Sequence, residues 1–213
     1  MLVVVGGHSR NVGKTSVVCE IISGIPEAGW QAIKITQHGH SFCSIDGLPC
    51  DCAPGDASHP FVLDEESRAG GTDSGRYLAA GARRSFWLRT AKGELGHAIP
   101  TLKSLIAGAA HSVLESNSVM RFLTPDLYIV VLDYGVEDMK ESTRLYFDRA
   151  DAFVVNAAGR STPPWPGIPR RWLEDKPWFP ARPPLYGGPE LIAFVRSRMS
   201  RAPALAECSG EPS

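Results

Sequence analysis

Gly6-Gly7-His8-Ser9-Arg10-Asn11-Val12-Gly13-Lys14-Thr15-Ser16 decides how the rest of the chain reads. Before it stands a β-branched apolar run, Leu2–Val5, which predicts a buried strand. After it Val17, Val18, Ile21 and Ile22 recur with the spacing of one helical face. A strand, a glycine-bearing loop and a helix in this order form a phosphate cradle. Backbone N–H groups turn inward at a helix N-terminus, a lysine reaches the outer phosphates, and a hydroxyl meets Mg²⁺. Gly13-Lys14-Thr15 supplies the closing parts. The usual spacing asks for glycine at position 8, where this chain has His8; with Gly7 the pattern is G-x5-G-K-T. The candidate phosphate-binding residues are therefore Gly7, Asn11, Val12, Gly13, Lys14, Thr15 and Ser16. The competing reading is a strand–turn–helix with an incidental Gly-Lys-Thr.

Outward from the loop, apolar runs alternate with helical periods. Gln31–Thr36 and Ser85–Arg89 read as strands, as do the runs ending at Glu115, Asp133 and Asn156. Tyr77, Leu78, Gly81 and Ala82 share a helical face, as do Leu102, Leu105, Ile106 and Ala109. Pro189 opens a last helix that turns Leu191, Ile192, Val195 and Met199 inward. The alternation predicts an α/β fold with a doubly wound, mostly parallel sheet, and with the Gly-Lys-Thr loop after its first strand the expected fold is that of a P-loop NTPase. The strand ends at Gly6, Thr36, Glu115, Asp133 and Asn156 then share the edge where such sheets bind ligands.

Two stretches break the rhythm. Residues 37–71 show no period and are crowded with Gly, Pro, Asp, His and Cys. Residues 160–189 hold nine of the 17 prolines and three of the five tryptophans. Long loops in a compact domain are functional or disordered more often than not. We therefore expect one domain over residues 1–199, carrying a Cys/His-rich loop (37–71) and a Pro/Trp-rich cover segment (160–189), with a flexible tail at 200–213.

The chain has 213 residues, a formal charge of −1 and 43% hydrophobic residues, the composition of a globular protein with no charge-based reason to bind nucleic acid. No apolar run approaches the length of a membrane span. The N-terminus lacks the basic lead and cleavage site of a secretory signal, so the expected compartment is a reducing cytoplasm.

In detail, Gly7-x5-Gly13-Lys14-Thr15 resembles the phosphate loop of dethiobiotin synthetases. Lys34-Ile35-Thr36-Gln37-His38-Gly39 is similar to that family's second-strand segment. Val113-Leu114-Glu115 resembles its strand ending in a Mg²⁺-binding Glu, and Val154-Val155-Asn156 its strand ending in an Asn that faces the base. The chain equally resembles the molybdopterin-guanine dinucleotide biosynthesis protein B family, through Thr36-Gln37-His38-Gly39-His40 and the segment Asp73–Ala82. Both families belong to the SIMIBI class of P-loop proteins. The likeness implies an NTPase or an ATP-dependent ligase-like enzyme, with Asn156 beside the base. After Glu115 the chain reads Ser116-Asn117-Ser118 rather than a glycine-rich run. After Asn156 it reads Ala157-Ala158-Gly159, without a guanine-reading Asn-Lys-x-Asp.

Around the phosphates, the catalytic candidates are Lys14, Lys34 and Glu115. Thr15 and Glu115 are the first candidates for Mg²⁺, with Asp133 and Asp73 behind them. Glu115 also reads as a solvated strand-terminal charge and Lys34 as a leaning edge lysine. Gly70–Ser74 reads either as a helix N-cap or as a switch segment. Cys43, Cys50, Cys52 and His59 offer soft ligands for zinc, against free thiols on an ordinary loop. Two functions follow. One is Mg²⁺-dependent ATP or GTP binding with hydrolysis or phosphoryl transfer, in or assisting cofactor biosynthesis. The other is a nucleotide-gated metallochaperone holding zinc or nickel on the cysteine loop. The expected partners are the nucleotide and an unidentified small molecule or protein, with a homodimer left open.

Overall fold

A computed structural model describes residues 1–38, 60–169 and 171–200. A nine-stranded sheet runs in the order β3-β4-β2-β5-β1-β6-β7-β8-β9. Its strands are β1 (Leu2–Gly7), β2 (Gln31–His38), β3 (Phe61–Glu65), β4 (Arg84–Ala91), β5 (Ser112–Glu115), β6 (Leu127–Asp133), β7 (Ala152–Asn156), β8 (Trp178–Arg182) and β9 (Leu185–Tyr186). The strands from β4 across to β8 are parallel, and β3 and β9 close the two edges antiparallel. The helices are α1 (Lys14–Gly24), α2 (Asp73–Ala79), α3 (Ile99–Ala107), α4 (Glu141–Arg144), α5 (Arg171–Glu174) and α6 (Gly188–Met199). This is the expected α/β architecture.

The strand period of two divides the core. Val3, Val5, Ile129, Val131 and Val154 face one layer with Val17, Val18, Ile21 and Ile22 of α1 and Leu191 and Val195 of α6. Val4, Ile33, Leu114, Val130 and Leu132 face the other, against Leu102 of α3, Phe147 and Trp165. A sheet buried on both faces has no polar side to show, which is why its central strands are continuous apolar runs.

From β1 the chain first builds the β2 side and returns through β5, then builds the β6 side. The winding therefore reverses around β1, and the loops after β1, β5 and β6 open into one crevice. Gly7, Glu115 and Asp133 end those three strands.

Three expectations change. Residues 37–71 include the end of β2 and the whole of β3, where a featureless loop was expected. The run Phe61-Val62-Leu63 is too short to read alone. It becomes a strand because Glu65 meets Arg84 at 2.7 Å and Asp64 pairs with Arg89 across the β3–β4 ladder. The Pro/Trp-rich segment, expected as a cover, contains α5 and contributes β8 and β9 to the sheet. β8 alternates, burying Phe179 and Ala181, while its Pro180 still accepts a hydrogen bond from the Gly187 N–H at 3.2 Å. The helix around Tyr77 stops at Ala79, before Gly81 and Ala82, where Gly81 takes a φ of 103°.

Candidate functional site

β1 delivers the chain into the phosphate loop through a gripped peptide. Asn117 lies buried just past β5; its Oδ1 accepts the Gly7 N–H at 2.8 Å and its Nδ2 donates to the Gly7 carbonyl at 2.7 Å. Thr143 donates to the same carbonyl at 3.0 Å. A Cβ on Gly6 would strike Asn117 Oδ1 and the Tyr128 hydroxyl, so glycine is required there. Asn117 was not singled out from sequence, although Ser116-Asn117-Ser118 marked where the chain leaves the dethiobiotin synthetase pattern.

His8, at the position where glycine is usual, is fully buried. Its ring lies 4.4 Å from Trp165, and its Nε2 is 3.3 Å from the Val136 carbonyl. Its Nδ1 stands 3.4 Å from the Asp133 N–H. Nδ1 also lies 3.5 Å from the Val131 carbonyl; burial favours the neutral ring and holds its pKa below the ordinary histidine value. Trp165 donates to the same Val136 carbonyl at 3.1 Å. The extra residue of the loop thus binds the segment after β6 to the phosphate loop.

Beyond His8 the loop turns through Asn11 (φ 56°) and Gly13 (φ 99°). The left-handed φ of Gly13 and the Tyr186 ring, into which a Cβ would fall, both exclude other residues there. Gly13 caps α1 without a side-chain acceptor, so the first N–H groups of the helix are left for an anion. Tyr186 is fixed because the Glu20 carboxylate accepts the N–H groups of Tyr186 at 2.6 Å and Gly188 at 2.7 Å. Val12 is buried and Ser16 accepts a hydrogen bond from Arg76 at 3.2 Å.

Lys14 Nζ donates to the Ser9 carbonyl at 2.9 Å, bending its side chain back over the loop. Burial lowers its pKa to about 8, with Lys140 and Lys34 adding to the effect and Glu115 and Asp73 opposing it. The sign for stability follows. Between about pH 8 and the ordinary lysine value of 10.5 the unfolded chain holds a proton that the folded one has released, so stability rises with pH across that window. Affinity for a phosphate anion, which needs the ammonium, is expected to fall across the same window. Denaturant midpoints and nucleotide affinities from pH 7 to about 10.5, for wild type and Lys14→Met, check both trends. Equal slopes in the two proteins would exclude Lys14 as their source.

Beside the helix start, β5 ends in Glu115, only 5% exposed. Its Oε2 accepts from Thr15 Oγ1 at 2.7 Å and from the Tyr77 hydroxyl. Its Oε1 accepts from Lys34 Nζ at 3.1 Å. Burial and the Glu115 carboxylate push the Tyr77 phenol well above its ordinary pKa, so it stays a donor. Lys34 also pairs with Asp73, which opens α2 and is more exposed, at 41% of its side chain. Burial raises the Asp73 pKa, but Lys34, Arg76 and Thr15 outweigh it and hold the carboxyl below its usual range. Glu115 is therefore not a solvated strand end: Thr15, Lys34, Glu115 and Asp73 converge beside the loop. Tyr77 joins them from α2, a contact no sequence spacing announces.

The other expected site residues are placed differently. Asn156 donates to Asp133 at 2.9 Å and accepts the Ala158 N–H at 3.2 Å, closing the ends of β6 and β7 on each other. Asp133 also takes the Gly135 N–H at 2.8 Å, so it serves the turn after β6 and stands apart from the Thr15 cluster. Thr72 caps α2 by accepting the Gly75 N–H at 2.9 Å, as the N-cap reading of Gly70–Ser74 expects. Cys43, Cys50, Cys52 and His59 lie outside the described residues. Among the described residues no group of three or more His, Cys, Asp or Glu is placed to hold a metal ion. Nor, among them, is any helix long and apolar enough to cross a membrane.

A parallel sheet whose first strand runs into a Gly-Lys-Thr loop capping α1, at the reversal of the winding, defines the class: a P-loop NTPase fold. No protein-family model and no curated protein sequence matches the chain. A solved structure similar to it is the "apo" form of LpxK from Aquifex aeolicus in complex with ATP, at 16% identity and a TM-score of 0.48, covering 84% of this chain and 53% of that one. The chain thus spans about half the length of that protein, and a likeness this low carries no functional argument.

Proposed function

We propose that the chain binds a nucleoside triphosphate, ATP or GTP, with Mg²⁺, and hydrolyses it or transfers its terminal phosphoryl group. The observation that carries this reading is the convergence of Thr15, Glu115, Lys34 and Asp73 beside an uncapped helix N-terminus with Lys14 over it. Phosphoryl transfer asks a protein for positioning and charge neutralisation rather than a covalent nucleophile, and these residues supply both.

In this reading the backbone N–H groups of the loop hold the phosphates and Lys14 orients the outer ones. The Thr15 hydroxyl and the Glu115 carboxylate fit Mg²⁺ by chemistry, being hard oxygen donors side by side. An ion held there would take its other ligands from phosphate oxygens and water, so two protein donors would suffice. When bound, the ion neutralises charge on the outer phosphates. Lys34 holds Glu115 and Asp73 in place, and Asp73 is the more exposed of the two carboxylates. A role in or assisting cofactor biosynthesis, as in the molybdopterin-guanine dinucleotide biosynthesis protein B family, belongs to this proposal through the sequence resemblance.

The test is thermal unfolding with ATP, GTP and CTP, each with and without Mg²⁺. A ligand at 100 times its Kd stabilises by about 2.7 kcal/mol, a rise of roughly 5–10 °C for a chain of this size. The expected result is such a rise with ATP or GTP that depends on Mg²⁺; no rise with any nucleotide would overturn the proposal.

A further inference from the structure

We infer that Lys140, on the segment after β6, is a second lysine of the phosphate site, placed over the outermost phosphate of a bound nucleoside triphosphate. This rests on the nucleotide reading above and names the part of the ligand that the residue reads.

The placement is built from the backbone. The Lys140 N–H donates to the His8 carbonyl at 2.8 Å, so its Cα is tied directly to the phosphate loop. Two residues earlier, Asp138 accepts the Ser9 hydroxyl at 2.8 Å. Earlier still, the Val136 carbonyl is met by His8 Nε2 and Trp165 Nε1. Three successive attachments to residues 8 and 9 or to Trp165 hold residues 136–140 against the loop. His8, the residue that lengthens the phosphate-loop pattern, takes part in two of them.

The charge then decides what the side chain is for. Among the described residues Lys140 forms no ion pair and no side-chain hydrogen bond, and Asp138 is occupied by Ser9. Burial, Arg10 and Lys34 lower the pKa of this half-buried ammonium, with Asp138 and Glu115 opposing them, and its charge in turn lowers that of Lys14. Holding an unpaired lysine near Lys14 costs stability in the free protein. An anion of high charge between the cations relieves that repulsion. Lys14 rises from the helix start to the outer phosphates on the helix side of the loop. Lys140 is tied at its backbone to His8, at the strand end of the loop and away from the helix start, so in this proposal the group it meets is the outermost phosphate. A diphosphate leaves this lysine without its partner.

The experiment measures Kd for MgATP, MgADP, MgGTP and MgGDP with wild type, Lys140→Met and Lys140→Arg. Lys140→Met keeps the apolar stem. It is expected to weaken the preferred triphosphate about tenfold, the worth of one charge-assisted hydrogen bond, while the diphosphate stays within about twofold. Lys140→Arg is expected to restore most of the triphosphate affinity. Equal loss for di- and triphosphate, or no loss for either, would overturn the assignment of Lys140 while leaving nucleotide binding standing. If wild type binds none of the four, the nucleotide reading itself falls and takes this one with it.

Discussion

Lys14→Ala is expected to raise the Kd for MgATP or MgGTP at least about 100-fold, the equivalent of about 3 kcal/mol for a charge-assisted contact to phosphate. Lys14 is bent over the loop by the Ser9 carbonyl, next to helix N–H groups that no side chain caps. Free protein is expected to respond in the opposite sense. Among the described residues no carboxylate lies within ion-pair distance of the ammonium, and burial lowers its pKa to about 8. Lys14→Met, which keeps the stem, is therefore expected to melt no lower than wild type in the absence of nucleotide. Titration calorimetry and thermal unfolding on the same preparations separate the two effects. A Kd within a few-fold of wild type would remove Lys14 from the site.

Glu115→Ala is expected to damage both fold and function. It removes the acceptor shared by Thr15, Tyr77 and Lys34 in one step. Breaking a buried, hydrogen-bonded ion pair from one side costs about 3 kcal/mol, because the remaining cation keeps its desolvation cost. For a chain of this length that is a fall in Tm of roughly 6–12 °C. Glu115→Gln retains an acceptor for Thr15 and Tyr77 and is expected to recover most of the stability. It is not expected to recover the Mg²⁺ dependence of nucleotide binding, since a neutral amide is a poor ligand for a hard cation. Full Mg²⁺ dependence in Glu115→Gln would rule out Glu115 as a metal-site residue.

The contrast between Glu115 and Asn156 shows how far sequence reading reached. Both end apolar runs, and both read as groups on the ligand edge. Glu115 gathers Thr15, Tyr77 and Lys34, whereas Asn156 is engaged by Asp133 and Ala158. A strand end shows that a polar group lies on the edge; which neighbour meets it depends on strand order. β5 lies between β1 and β2, so its carboxylate stands beside both Lys34 and the start of α1. β3 and β8 were hidden for another reason. One is short and ends in two carboxylates, and the other is crossed by proline. Each is a strand because a partner strand is present, through the Glu65–Arg84 and Asp64–Arg89 pairs for β3 and the β7 ladder for β8.

Local sequence determined the parts of this protein that depend on near neighbours. The apolar runs set the central strands, the period of Val17, Val18, Ile21 and Ile22 set α1, and Gly13-Lys14-Thr15 set the turn between β1 and that helix. Tertiary structure alone decided what surrounds the turn. Asn117 grips Gly7 across 110 positions of chain, Tyr186 closes on Gly13, and residues 136–140 are tied to His8 and Ser9. These contacts join groups whose separation along the chain carries no period, so they exist only once the fold has placed β5 and β6 beside β1 and brought Tyr186 of β9 to the loop that follows it. The histidine that departs from the usual loop pattern takes its meaning there: buried against Trp165, it fastens the segment that carries Lys140 to the phosphate loop.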